Sequence, residues 1–255
     1  MKIDLNCDLG ESYGTYRIGN DEKIMPYITS ANIACGFHAG DSMTMAKTVN
    51  MAKKHGVAVG AHPGFPDLLG FGRREMHVTF EEAENYTIHQ IGALLAFAKI
   101  AGVKLQHVKP HGALYNIVAK DEELSKAIVK ATKAIGEDLI VFASPKSALA
   151  KVAVEAGLRV AHEFFADRSY NPDGTLVSRD LKDAVIQKPK KVVESVVRAV
   201  KEGRVLAVNG SAIKLGKLHT ICMHGDTQGA VNLARLLKNE LSAANVEIEP
   251  VSNFI

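Results

Sequence analysis

Four histidines stand at the ends of short apolar runs and are each followed within two residues by glycine: His38 in IACGFHAGD, His62 in VGAHPGF, His111 in VKPHGAL and His224 in ICMHGDT. Such imidazoles sit where a parallel strand gives way to a loop. In a barrel of alternating strands and helices the reacting groups come from the loops at the carboxyl ends of the strands, so all four can converge on one pocket. A single strand-end histidine reads equally well as a satisfied structural ring. Four in equivalent places point to a catalytic mouth.

A lysine and several carboxylates are placed in the same way. Successive strand side chains alternate between faces, so Asp4, Asn6 and Asp8 share one face of the opening segment, and His107, Lys109 and His111 share one face of a later segment. Asp8, Lys109 and His111 lie nearest the strand ends. Two carboxylates buried together drive their pKa values apart, which supplies a general acid beside a general base. Asp4 and Asn6 read first as groups that satisfy the barrel interior, and Glu11 fits either reading. Among apolar walls Lys109 needs a carboxylate such as Asp8 or Glu163, or serves as an electrophile towards a developing oxyanion. His55, His77, His89, His162 and His219 lack this context.

Two segments, 62–78 and 165–180, are longer than the roughly 2–6 residues usual for strand-to-helix connections and carry Arg73, Arg74, Arg168 and Arg179. Planar guanidinium groups suit carboxylate or phosphate; loop-stapling ion pairs are the alternative. Asp8, His38 and His62 could hold a metal as an open carboxylate–imidazole trio. No HxH or HExxH spacing supports that trio, and pocket histidines equally serve as hydrogen-bond donors, so a metal stays open. The run Gly210–Lys217 has five residues between its glycines where a phosphate-binding loop has four, and Leu218 stands where Ser or Thr is needed. No GxSxG motif and no cysteine with a partner base suggests a nucleophile.

The elements that must carry these groups alternate along the chain. KIDLN, SANIAC, VAVGA, LQHVKP, LIVFA, RVAHEF and HTICM read as strands, and residues near 42–55, 79–101, 121–135, 146–156, 189–202 and 227–243 have helical apolar spacing. Asp41-Ser42 and Thr79 to Glu82 signal helix starts; Gly56, Gly102, Gly136, Gly157 and Gly203 signal stops. Strand–helix alternation implies parallel neighbours and right-handed crossovers. The expected fold is an α/β, TIM-like parallel β/α barrel of seven strands, with an eighth undecided, as a single domain over 1–255. VLAV and AIKL around Asn209-Gly210 read as an added hairpin with a type I′ turn.

Composition sets bounds. The 255 residues, 47% of them hydrophobic, suit one barrel core. The 31 basic and 28 acidic residues are interspersed, without the long basic run that tracks nucleic acid. Asp4, Asp8 and Glu11 occupy the start where a secretory signal is apolar, and Lys99 breaks the one long apolar stretch, so a cytoplasmic protein with no membrane partner is expected. Cys7, Cys35 and Cys222 are odd in number and lack CxxC spacing, which favours buried thiols over disulfides.

Six blocks in order, DLNCDLGESYG (4–14), SANIACGFHAGD (30–41), GAHPGFPDLLGFGRREM (60–76), VKPHGALYN (108–116), FFADRSYNPDGTLVSR (164–179) and ICMHGD (221–226), closely resemble the LamB/YcsF family over nearly the whole chain. Ser42 stands where the family often has proline and Phe65 where it often has tyrosine; neither carries charge. The resemblance implies a seven-stranded barrel like that of polysaccharide deacetylases. It also implies ATP-dependent cleavage of 5-oxo-L-proline to L-glutamate, with ATP as co-substrate, together with two other 5-oxoprolinase subunits. For that chemistry Lys109, His111 and His38 would offer cationic donors to an oxygen, and Asp8 or Glu163 would activate water. Arg73, Arg74 or Arg168 would hold the substrate carboxylate, while Asn6, His62 and His224 would shape the binding wall. Two other readings are a metal-dependent deacetylase or amidase acting alone, and a non-catalytic module that binds the lactam.

Overall fold

A computed structural model of the chain describes residues 1–225 and 229–255. In chain order the elements are β1 (Lys2–Leu9), a short α1 (Asp21–Ile24), β2 (Ser30–Ala34), α2 (Ser42–His55), β3 (Ala58–His62), α3 (Phe80–Ala101), β4 (Leu105–Val108), α4 (Gly112–Val118), α5 (Glu122–Ile135), β5 (Ile140–Ala143), α6 (Ala148–Glu155), β6 (Arg159–Phe165), α7 (Pro189–Glu202), β7 (Arg204–Leu206), β8 (Ala212–Lys214), β9 (Thr220–His224), α8 (Ala230–Ala243) and β10 (Glu247–Ile248). The strands β1-β2-β3-β4-β5-β6-β9 are parallel, and β9 closes the ring by pairing with β1. The extra strand β10 adds parallel to the start of β1, outside the ring.

Each of the seven expected strands is a barrel strand. Asp41 caps α2 by accepting from Thr44 N–H, and Thr79 and Glu82 form a reciprocal capping box on α3, which satisfies amides that the first helical turn leaves bare. Gly56, Gly102, Gly157 and Gly203 follow their helices in the left-handed region, but Gly136 is extended at φ −173°. The helix expected to begin at 227 runs from Ala230; Thr227 and Gln228 lie outside the described residues, as does Asp226 of the ICMHGD block. Sequence periodicity missed α1 and α4, which have 4 and 7 residues, too short to show a repeat.

β7 and β8 do pair as an antiparallel hairpin, yet its turn is not type I′. That turn needs positive φ at both central residues. Here only Gly210 is left-handed, at φ 83°, and Ala207 C=O accepts from Gly210 N–H at 2.9 Å. The Gly210–Lys217 run lies in this hairpin and the segment after it, not between a strand and a helix as a phosphate loop requires. Among the described residues no helix is long and apolar enough to cross a membrane.

The barrel is apolar outside and polar inside. Ile3, Leu5, Cys7 and Leu9 of β1 join the core beneath the helices, whereas Asp4, Asn6 and Asp8 point inward and are also buried. β/α barrels usually fill this space with branched aliphatic side chains. Here Ser30, Asn32, His107, Lys109, Glu163 and Thr220 are buried as well. The far end is closed by the C-terminal segment: Val251, Phe254 and Ile255 pack on Ile140, Phe142 and Ala161, and Arg159 donates to the Ile255 carbonyl at 3.0 Å. The other end stays available to the loops that follow the strands.

Candidate active site

Lys109 is the centre of the mouth. It extends β4, its amide donating to Ala61 C=O of β3 at 2.9 Å, so its side chain enters the barrel. Its Nζ lies 2.8 Å from Asp8 Oδ1, 3.1 Å from Glu163 Oε1, 3.3 Å from Asn6 Oδ1 and 2.9 Å from Cys222 Sγ. Burial alone would push the ammonium pKa down, but the carboxylates of Asp8 and Glu163 hold it well above its usual value. Burial likewise pushes the Asp8 carboxyl up, and His62 and Lys109 overcome this to hold it well below the usual range. Burial keeps the Cys222 thiol protonated, far above its normal pKa. All three cysteines are free and buried.

Amides lock this cluster from below. Asn32 Nδ2 donates to both Asp8 Oδ1 and Asn6 Oδ1 at 2.7 Å, and Asn6 Nδ2 donates to Glu163 Oε1 at 3.0 Å. His107 reaches Asn32 Oδ1 at 2.7 Å through Nε2, because Gln106 donates to its Nδ1 at 3.1 Å. The ring occupies the space a side chain at residue 60 would fill: a Cβ on Gly60 would fall inside it. Deeper still, Asp4 accepts from the hydroxyls of Thr29, Ser30 and Thr220, and burial raises its pKa to about 6. Asp4 is an interior structural group, as its depth implies. Glu163 Oε2 is buried without a hydrogen-bond partner among the described residues.

Three of the four strand-end histidines meet. His38 and His111 stack with centroids 3.7 Å apart, and His62 stands edge-on to both. His62 Nδ1 donates to Lys109 C=O at 2.7 Å and His111 Nε2 donates to Phe71 C=O at 2.9 Å. His62 Nε2 is 2.9 Å from His111 Nδ1 and 3.4 Å from Asp8 Oδ2. Burial, reinforced by neighbouring imidazoles, holds His38 and His111 well below the usual histidine pKa. Burial thus disfavours the cationic form that the sequence reading gives these two rings. The partner carboxylate is Glu11, with Oε1 3.4 Å from His38 Nε2 and 3.6 Å from His111 Nδ1. The three histidines converge with Glu11 rather than as a trio of Asp8, His38 and His62; Asp8 Oδ1 is taken by Lys109 and Asn32, and only its Oδ2 approaches His62.

The loop after β3 roofs this cluster. Phe71, itself at φ 54°, lies edge-on to His38 and His111. Gly72 follows at φ 63°, and a Cβ there would come 2.7 Å from His38 Cβ and 2.9 Å from His111 Cδ2. Arg73 stacks over Phe71 with its guanidinium carbon 4.8 Å from the ring centre, at the exposed rim. Arg74 instead forms an ion pair with Asp67 of its own loop while 65% exposed.

His224 joins the loop after β6 to the Lys109 cluster, with one ligand atom each of Asp8, Cys222 and His224 within 4.8 Å of the others. Its Nδ1 donates to both Asp167 oxygens at 2.9 Å, and Arg179 donates to its Nε2 at 2.8 Å. Phe165 stacks between this ring and Lys109, 5.8 Å from the His224 centroid and 5.1 Å from Nζ. Arg168 turns away from the mouth and donates to the carbonyls of Ala184 and Val177. The expectation that Arg74 and Arg168 hold substrate is thus replaced by the loop-stapling alternative. Sequence reasoning missed Asn32, Asp167 and the pairing of Arg179. Asn32 was detectable, since it alternates with Ser30 on β2; Asp167 lies in a loop that has no period.

The sequence model of the LamB/YcsF family matches residues 3–255. The chain is 52% identical over 255 residues to the 5-oxoprolinase A subunit of Pyrococcus horikoshii and 54% identical over 255 residues to that of Thermococcus onnurineus, with 100% of each chain covered. Its fold matches the crystal structure of the lactam utilization protein from Thermus thermophilus with TM-score 0.92 and 44% identity, covering 98% of this chain and 99% of the other.

Proposed function

The chain belongs to the LamB/YcsF family, and on that footing we propose that it opens the ring of 5-oxo-L-proline to give L-glutamate, in an ATP-dependent reaction shared with two partner subunits. Relatives of full matching length are named for the A subunit of 5-oxoprolinase, and a protein of the same fold is named for lactam utilization. The observation that carries the reading is Lys109, a buried ammonium held between Asp8 and Glu163 at the barrel mouth.

A five-membered lactam has little ring strain, and its amide nitrogen is a poor leaving group. Phosphorylating the amide oxygen overcomes both: one water opens the ring, and a second accounts for the phosphate released from ATP. Lys109 stays charged in its carboxylate cage and stabilises the negative charge of the phosphorylated intermediate without reorganisation. Asp8 Oδ1 is engaged by Lys109 and Asn32, which leaves Asp8 Oδ2 and Glu163 Oε2 as the carboxylate oxygens that can take a proton from water. Arg179 and Arg73, at the rim, receive the substrate carboxylate.

Glutamate formation is the test. The purified chain is incubated with 5-oxoproline, with and without ATP and the two partner subunits. Glutamate is expected only from the complete mixture, and Glu163→Gln or Lys109→Met in that mixture should lower the rate by about 100-fold or more. Full activity from the two partners without this chain rejects the reading. Hydrolysis by the chain alone with a divalent ion and no ATP would establish the free-standing amidase instead.

A further inference from the structure

Two backbone carbonyls fix two histidine tautomers in a way that leaves an electrostatic conflict. A carbonyl only accepts, so the His62 proton is on Nδ1, facing Lys109 C=O, and the His111 proton is on Nε2, facing Phe71 C=O. In the neutral forms the remaining nitrogens, His62 Nε2 and His111 Nδ1, carry bare lone pairs and face each other at 2.9 Å, so either a second proton on His62 beside Asp8 or a metal ion must stand there. A neutral pair in this arrangement has no hydrogen between its acceptors. Asp8 Oδ2, 3.4 Å from His62 Nε2, and Glu11 Oε1, 3.6 Å from His111 Nδ1, add two more acceptors. The centre of this cluster calls for a positive charge.

His38 supplies an independent observation. Its side chain is fully buried against Glu11, and neither ring nitrogen has a hydrogen-bond partner among the described residues. Buried polar atoms are rarely left so. One ligand atom from each of Glu11, His38, His62 and His111 lies within 4.8 Å of the others. Bonds of about 2.0–2.2 Å give a tetrahedral site edges of roughly 3.3–3.6 Å; the separations of Glu11 Oε1 from His38 Nε2, 3.4 Å, and from His111 Nδ1, 3.6 Å, match them, and the His62 Nε2–His111 Nδ1 edge, at 2.9 Å, would have to widen by about 0.4 Å around an ion. The carbonyls behind His62 and His111 are the outer partners that orient metal-bound imidazoles.

We infer that Glu11, His38, His62 and His111 form a binding site for one divalent first-row transition ion, with zinc the natural occupant of three imidazoles and one carboxylate. The inference concerns binding alone and does not depend on the ring-opening reading, because its test uses neither lactam nor ATP.

The chain is stripped with chelator, dialysed, and titrated with Co2+ by visible absorption and with Zn2+ by calorimetry. About one ion per chain is expected, with Co2+ giving the intense absorption of a four-coordinate site that Zn2+ abolishes. His38→Ala and Glu11→Gln should weaken binding by about 10–100-fold or more, while His77→Ala, at an exposed position, should leave it unchanged. His111→Cys guards against loss by misfolding: it should keep Co2+ and add a sulfur-to-cobalt charge-transfer band. A folded wild-type chain that binds neither ion overturns the inference. So does stoichiometric binding that survives both His38→Ala and Glu11→Gln. A hydrogen-bonded proton between His62 and His111 that persists in NMR spectra at saturating Zn2+ identifies the rival occupant, a proton, and also overturns it.

Discussion

Lys109 Nζ, just past the end of β4, and Asp8 Oδ1, on β1, lie 2.8 Å apart, with both side chains almost wholly removed from water. The two strands are not neighbours in the sheet, so the contact exists only because the barrel closes. Removing one member of a buried pair leaves the other uncompensated, at a cost of about 3–5 kcal/mol. Lys109→Met should therefore lower unfolding stability by about that amount, measured in urea. The double variant Lys109→Met with Asp8→Asn should be less destabilised than the sum of the singles by about 1 kcal/mol or more. Strict additivity would mean the pair is not coupled.

Asp4 gives a pH signature. Its native pKa of about 6 exceeds the unfolded carboxylate value because burial disfavours the charge. The native state then binds more protons than the unfolded state between about pH 4 and pH 6, so stability falls as pH rises through that window. The contribution is complete below pH 4 and lost above pH 6, and amounts to about 3 kcal/mol at 1.36 kcal/mol per unit. Asp4→Asn should flatten that slope. Urea unfolding of both proteins at several pH values from 4 to 7 checks it; parallel curves would remove Asp4 as the cause.

The rim arginines should separate kinetically. Arg179→Ala is expected to raise the apparent KM for 5-oxoproline with a smaller change in kcat, since a carboxylate clamp contributes to ground-state and transition-state binding alike. Arg168→Ala should act on the loop after β6, because its donors hold the Val177 and Ala184 carbonyls; limited proteolysis should find faster cleavage there. The reverse pattern would exchange their roles.

Gly60→Ala tests the packing beneath Asp8. The new methyl group would overlap the His107 ring, and overpacking of this kind costs about 1–3 kcal/mol. Displacing His107 frees Asn32 from the position in which it donates to Asp8, so ring opening should fall as well. Gly60→Ala combined with the smaller His107→Asn should recover stability. If the double variant is weaker than the single, the ring is not the obstacle.

Much of this site was legible in period-two alternation. Asp8, Lys109 and His111 were placed by counting along strands whose ends are marked by glycine and proline, Glu163 only as a carboxylate that Lys109 would need, and all four are buried at the mouth. The loops were not legible in that way. Glu11 rather than Asp8 meets the histidine stack, and Arg179 rather than Arg168 meets His224, because a loop residue's position depends on which distant segment covers it. The Asn209-Gly210 turn makes the same point on a smaller scale, as Asn209 stays outside the left-handed region that the dipeptide often adopts.

The sequence by itself determined the strand–helix alternation, the inward face of each strand and the inventory of groups at the strand ends, since backbone geometry imposes those periods locally. Only the tertiary structure decided which of those groups touch. Closing β9 onto β1 brings Asp8 level with His224, and folding the 62–78 loop over the mouth sets Phe71 C=O against His111. Contacts between residues about a hundred positions apart, such as Asp8 and Lys109, depend on the closure of the whole sheet, and no local rule along the chain encodes that.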